Sequence, residues 1–158
     1  MLDKDLLIIT HLRKNSRETL TSMSRLTKIP VSTLYDKLKQ QEASLIQKHT
    51  SIVDFSKLGF NTRIHMLVKV DREKREELQA HLVKEQNVNS LYRVNSGYDF
   101  LIEGVFRHVK DMEDFIEKLE EKFELRQKQL YYIIADIKRE EFLANPEIAG
   151  RQALEGKG

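Results

Sequence analysis

Val94-Asn95-Ser96-Gly97-Tyr98-Asp99-Phe100-Leu101-Ile102 decides the fold of the larger part of this chain. Gly97 tolerates a positive φ and Asp99 favours a turn, so the stretch reads as a connection feeding an apolar strand. On its N-terminal side Val88, Ser90, Tyr92 and Val94 alternate, and on its C-terminal side Phe100, Ile102, Gly104 and Phe106 do the same, which makes a hairpin. Further out on each side the period changes to that of a helix. Leu78 and Leu82 mark one helix, with Asp71 expected as its cap. Met112, Phe115, Ile116, Leu119 and Phe123 mark the other, with Asp111 expected as its cap. A strand from Thr62 carries Ile64, Met66, Val68 and Val70 on one side. A last strand, expected over Leu130–Ile137, is apolar on both.

The order β-α-β-β-α-β is the split βαβ, ferredoxin-like arrangement, an antiparallel sheet with both helices on one face. The face left open carries Leu67, Leu91, Leu101, Val105, Tyr131 and Ile133 in this reading. An apolar open face implies a partner, and self-association is the commonest cover. A homodimer or a higher homo-oligomer is therefore expected.

Before this sheet lie three short helical stripes: Leu2, Leu6, Ile9 and Leu12; then Leu20, Met23 and Leu26 with Thr21 as the expected cap; then Val31, Leu34 and Leu38 with Ser32 as the expected cap after Pro30. Two short helices joined tightly through Lys28-Ile29-Pro30-Val31, behind a longer first helix, meet the requirement of a helix-turn-helix. With Val31, Leu34 and Leu38 inward, Ser32, Thr33, Asp36, Lys39 and Gln40 face outward, flanked by Tyr35 and Lys37. These groups can read base edges and hold phosphates of double-stranded DNA. Asp36 argues the other way unless it accepts from a cytosine amino group, and a solvated helix of a small bundle is the competing reading. The segment from Leu45 to Val53 is expected to form a wing, with Lys48 either on a phosphate or simply solvated.

Composition agrees with both halves. The chain has 158 residues, is 40% hydrophobic and 33% charged, and carries a net charge of +2. Residues 1–60 hold 10 Lys/Arg against 6 Asp/Glu, whereas residues 61–158 hold 17 against 19, so the positive excess sits on the helix-turn-helix side. No signal-peptide layout or membrane-length apolar run is present, and a cytoplasmic location without membrane partners is expected. With no cysteine, thiolate metal sites and cysteine nucleophiles are excluded. The five histidines show no metal-ligand spacing and no catalytic triad or phosphate loop stands out, so neither an enzyme activity nor a cofactor is expected.

The chain resembles the Lrp/AsnC, or feast/famine, transcriptional regulators from Leu2 to about Leu143. Leu45-Ile46-Gln47-Lys48-His49-Thr50-Ser51-Ile52-Val53-Asp54-Phe55-Ser56-Lys57-Leu58-Gly59-Phe60 is similar to that family's hinge, and Val94–Phe100 to its glycine turn. In the third helix Lys37-Leu38 and Gln41-Glu42 stand where the family shows Arg-apolar and Leu-Glu, and Ser44 stands for a Gly. The resemblance implies a winged helix-turn-helix over 1–53, a hinge over 54–61, a ferredoxin-like (RAM-type) ligand-binding and oligomerisation domain over 62–143, and a tail over 144–158. It also implies dimers paired through their sheets, assemblies up to octamers, and an amino-acid effector near Ser96, Gly97, Tyr98 and Asp99. Sirohaem decarboxylases share this layout and provide an enzymatic alternative. A helix-turn-helix that no longer reads DNA is a third possibility.

Overall fold

The computed structural model describes residues 3–147. The expected contribution of Leu2 to the first stripe, and most of the expected tail, lie outside them. The chain divides into two compact units: residues up to Ile52 together with the segment from Ile137 onward, and Val53–Asp136.

The first unit is built on α1 (Asp3–Lys14), α2 (Leu20–Thr27) and α3 (Val31–Ser44) around Ile8, Met23, Ile29 and Leu34. The buried stripe of α1 is centred on Ile8, with Leu7 and Leu12 only partly covered, so its inward direction lies one residue from the expected Leu6–Ile9 line. The caps also differ from expectation. Thr19, not Thr21, opens α2, its hydroxyl accepting from the Ser22 N–H at 3.1 Å. Lys28 closes α2 in the left-handed region at φ 61°. Pro30, whose ring fixes φ near its observed −56°, occupies the N-cap of α3 with no side-chain cap, displacing Ser32 from that role.

The three residues Lys28-Ile29-Pro30 between α2 and α3 make the tight turn of a helix-turn-helix, and Ile29 anchors it in the core at 5% exposure. No β-wing follows: among the described residues, 46–54 pair with no strand. The segment after Asp136 belongs with this unit rather than with the sheet. The Arg13 guanidinium donates to the carbonyls of Phe142 (3.0 Å) and Glu140 (2.9 Å) and to the Glu140 carboxylate (3.1 Å), clamping the returning chain to α1.

The second unit opens with a 3-10 turn at Phe55–Leu58, capped by Asp54 and ended by Gly59 at φ +84°. Its antiparallel sheet has the order β2-β3-β1-β4, with β1 Thr62–Lys69, β2 Val88–Arg93, β3 Phe100–Phe106 and β4 Gln127–Tyr132. Helices α4 (Arg75–Lys84) and α5 (Val109–Phe123) share one face. Leu78, Leu82, Met112, Phe115, Ile116, Leu119 and Phe123 join Ile64, Met66, Val68, Phe100, Ile102 and Phe106 in a single core. This is the ferredoxin-like arrangement expected from the hairpin outward.

Four local expectations are corrected. A bulge between Val88 and Ser90 shifts the phase of β2, so Leu91 opposes Ile102 and packs on the core, while Tyr92 opposes Leu101 on the open face. Strand β4 runs earlier than expected and lies at the sheet edge, leaving Ile134 and Ile137 at 97% and 94% exposure instead of buried from two sides. Asp71 caps nothing through its side chain, which takes a two-pronged ion pair from Arg126 (2.9 and 2.8 Å). Asp111 is the third residue of α5; the helix begins at Val109 because His108 and Asp111 form a reciprocal capping box.

Candidate nucleic-acid interface and glycine turn

Helix α3 is oriented by what it buries. Leu34 is fully buried and Gln41, two turns on, is 5% exposed. Gln41 Nε2 donates to the Asp5 carbonyl at 3.3 Å. Between them Lys37 turns toward α1, its Nζ donating to Asp5 Oδ1 at 2.7 Å, with side chains only 19% and 23% exposed. Lys37 is thereby a strut between α1 and α3, and its expected place on the outer face is corrected. Val31, expected inward, is 44% exposed because the helix is rolled toward Leu34, Lys37 and Gln41.

The opposite side presents Ser32, Tyr35, Asp36, Lys39 and Gln40 to solvent, with Thr33 half-buried beside them. Lys39 Nζ sits 4.6 Å from the Tyr35 ring centre, a cation–π contact that holds both side chains upright on the helix. Lys48 is exposed in the segment beyond α3. Ser44 bonds back to the Gln40 carbonyl at 2.8 Å, and Glu42 meets His49 at 3.1 Å. The outer ridge thus carries one outward cation lying over an aromatic ring, one carboxylate, two hydroxyl-bearing side chains near the helix start and an amide.

The glycine turn has a different internal logic. Ser96 and Gly97 both take positive φ, 61° and 90°, and no atom lies within 4 Å of the place a Gly97 Cβ would occupy. Glycine is required here by backbone conformation, not by crowding. Asp99, expected to face an effector, is 4% exposed and turned into the protein. Its Oδ2 accepts from the Val70 N–H at 3.0 Å, its Oδ1 lies 2.6 Å from Arg75 Nε, and its backbone N–H donates to the Val68 carbonyl at 2.9 Å. The Arg75 Nε–H is not aimed along the short approach, so the contact is an ion pair rather than a formed hydrogen bond. Asp99 therefore rivets the turn to the end of β1 and the start of α4. Ser96 and Gly97 stay exposed, and Tyr98 is half-buried with its hydroxyl 3.4 Å from Gln129 Oε1.

Asp5 and Arg75 do the positioning in the two regions, and neither stands out in the sequence. Each acts on a residue more than twenty positions away, and helix or strand periodicity carries no signal at that range.

Three of the five histidines have structural roles. His11 is buried against Glu18 at 3.0 Å, His81 pairs with Glu85 at 3.2 Å, and His108 caps α5. Among the described residues no three metal-ligating side chains converge, and no helix is long and apolar enough to cross a membrane. An open depression of about 680 Å³ lies between α4 and α5, bordered by His81, Glu85, Asn87, Phe115 and Lys118, on the helical face and away from the glycine turn.

A helix-turn-helix unit followed by a ferredoxin-like unit defines a class of two-module DNA-binding regulators. The model of the Lrp/AsnC ligand binding domain matches residues 64–142, and the chain belongs to the Lrp/AsnC family. It is 28% identical over 116 residues to the HTH-type transcriptional regulator FL11 of Pyrococcus furiosus, covering 73% of this chain and 77% of that protein. An uncharacterized HTH-type transcriptional regulator of Pyrococcus abyssi is 25% identical over 148 residues, 92% of this chain and all of its own length. Two solved structures share the fold. LrpC of Bacillus subtilis has a TM-score of 0.76 at 24% identity, covering 85% of this chain and 94% of its own. The regulator NMB0573 of Neisseria meningitidis, solved with L-Met, has a TM-score of 0.80 at 18% identity, covering 88% and 93%.

Proposed function

We propose that this chain is a sequence-specific DNA-binding transcriptional regulator whose α3 enters the major groove, joined through a hinge over 54–61 to a unit that binds a small effector and pairs copies of the chain. The observation that carries the reading is the division of α3 into an inward side of Leu34, Lys37 and Gln41 and an outward ridge of Ser32, Thr33, Tyr35, Asp36, Lys39 and Gln40 behind a tight α2–α3 turn. On this ridge Lys39 supplies backbone affinity as a point charge, Lys48 adds to it from the following segment, and the hydroxyls, Tyr35 and Gln40 meet base edges. A cytoplasmic location fits a regulator that works on DNA. The test is fluorescence anisotropy with duplex DNA over a salt series. Binding should weaken linearly in log salt, and Lys39→Ala should reduce the slope by about 0.9. Binding that ignores salt removes the reading.

In the second unit the effector turn consists of Ser96, Gly97 and Tyr98, with Asp99 holding it from behind. An amino acid is the effector class favoured by the ligand-binding family to which residues 64–142 belong and by the L-Met complex of the Neisseria protein. Thermal-shift measurements with the free amino acids test this: a stabilisation that disappears in Gly97→Val supports it, and no shift up to millimolar concentrations removes it. The sheet's open face, with Leu67, Leu101, Tyr92 and Tyr131, supports pairing of two copies, whereas Val105, on the same side by register, is already buried within the chain. Light scattering decides that point, since a monomer mass at micromolar concentration would refute it.

A further inference from the structure

We infer that Asp36 is a specificity-determining residue of this helix-turn-helix and that it selects cytosine at the operator position it faces, an inference that rests on the reading of α3 as the groove-entering helix. Three observations support it: where Asp36 stands, what surrounds it, and what its carboxylate can accept.

At about 100° per residue, Asp36 lies about 200° around α3 from buried Leu34, on the crest of the outer ridge, with Ser32 one turn before it and Gln40 one turn after. It is exposed, and among the described residues its carboxylate makes no ion pair and no hydrogen bond. Both nearby cations are held elsewhere. Lys37 is spent on Asp5, and Lys39, the one cation at a helical neighbour position, lies over the Tyr35 ring. A carboxylate that the fold leaves bare on this crest meets the DNA as a full negative charge.

An ionised carboxylate only accepts hydrogen bonds. Against a phosphate it is repelled, so it fits the complex only where it meets a base-edge donor. In the major groove the donors are the cytosine N4 and adenine N6 amino groups. Adenine sets its N7 acceptor beside N6, guanine offers two acceptors, and thymine offers an acceptor and a methyl, so cytosine is the best match. Asp36 thus lowers affinity for DNA in general and returns it where a cytosine stands opposite, which is discrimination by repulsion as much as by attraction.

The test is selection from random duplexes with the full chain and with Asp36→Ala and Asp36→Asn, followed by anisotropy on the selected duplex and on three versions with the chosen base pair replaced. The parent should select one cytosine column per half-site, and replacing it should weaken binding about five- to tenfold. In Asp36→Ala that column should become unselective while its neighbours persist, and affinity for unrelated duplexes should rise. In Asp36→Asn the preference should broaden toward adenine, which an amide can bind through N6 and N7. Identical selected sequences for parent and variants, or an Asp36-dependent column that is not cytosine, would overturn the inference while leaving DNA binding intact. A parent that enriches no duplex at all would overturn it together with the proposed function. Because Asp36 is exposed and unbonded, circular dichroism and thermal unfolding of the variants should match the parent, and a large loss of stability would also refute its placement.

Discussion

Replacing Asp99 tests the most consequential correction made by the structure, that this carboxylate holds the glycine turn instead of facing a ligand. In Asp99→Ala the N–H of Val70, a residue only 2% exposed, loses the acceptor at 3.0 Å. An orphaned buried donor costs about 1–3 kcal/mol, and a hydrogen bond to a charged partner lies toward the upper end. The Arg75 ion pair adds less, because the Arg75 side chain is 33% exposed and can rehydrate when its partner is removed. The expected loss is about 2–3 kcal/mol for Asp99→Ala and about 1 kcal/mol for Asp99→Asn, which keeps an acceptor for Val70. For Arg75→Ala it is about 1–2 kcal/mol, because the buried Asp99 carboxylate keeps the Val70 N–H but loses its charge partner. Urea unfolding followed by circular dichroism gives the ranking, and amide hydrogen exchange at Val70 gives its location. Exchange at that single amide should accelerate at least ~30-fold in Asp99→Ala, the factor corresponding to about 2 kcal/mol. If Asp99→Ala and Asp99→Asn unfold like the parent, or Val70 exchanges freely in the parent, the rivet does not exist. An equal loss for Arg75→Ala and Asp99→Ala would show instead that the ion pair dominates.

Other expectations follow from the same geometry. Lys37→Ala should leave the salt slope of DNA binding unchanged while Lys39→Ala lowers it, because only Lys39 points outward; equal slope changes would restore Lys37 to the DNA face. Removing the Thr19 cap by Thr19→Ala should destabilise the first unit by about 1 kcal/mol in thermal unfolding, with Thr21→Ala near neutral. A Cβ at Gly104 would stand 2.7 Å from Phe106 Cε2 and 3.3 Å from Ile64 Cγ1, so Gly104→Ala should cost about 1–3 kcal/mol through overpacking. Arg126 holds the Asp71 carboxyl below the usual carboxylate range chiefly by hydrogen bonding, and Lys74 does the same for Glu124. Their contribution is present above the ordinary carboxylate pKa of about 4 and is lost as pH falls through the lowered values, so Asp71→Asn should flatten the acid limb of a stability–pH profile. A profile identical to the parent's would show that the exposed pair contributes nothing.

Much of the architecture was legible in the sequence because it depends on periodicity. The alternation of Ile64, Met66, Val68 and Val70, the i, i+3, i+4, i+7 stripe of α5, and glycine at a positive-φ turn are local properties that any folded context must respect. They were enough for the order of elements in the second unit and for three helices with a tight α2–α3 link in the first. The outward positions of Ser32, Asp36, Lys39 and Gln40 followed from the 100° step of a helix once Leu34 was taken as buried.

The tertiary structure alone decided what long-range partners impose. The roll of α3 that turns Lys37 inward is set by Asp5, thirty-two residues earlier, and the burial of Asp99 is set by Val70 and Arg75 from two other elements. The bulge after Val88 reverses which β2 residues meet the core, a change of phase that alternation cannot report because one extra residue has no signature of its own. The sheet order puts β4 at an edge and the strand ends at Tyr132, so Leu130 still packs on the core while Ile134 and Ile137 beyond it stand exposed although their composition matches a buried strand. Composition and period thus fix which faces exist, whereas the direction each face takes, and which charged group is left free to act, depend on contacts made across the chain.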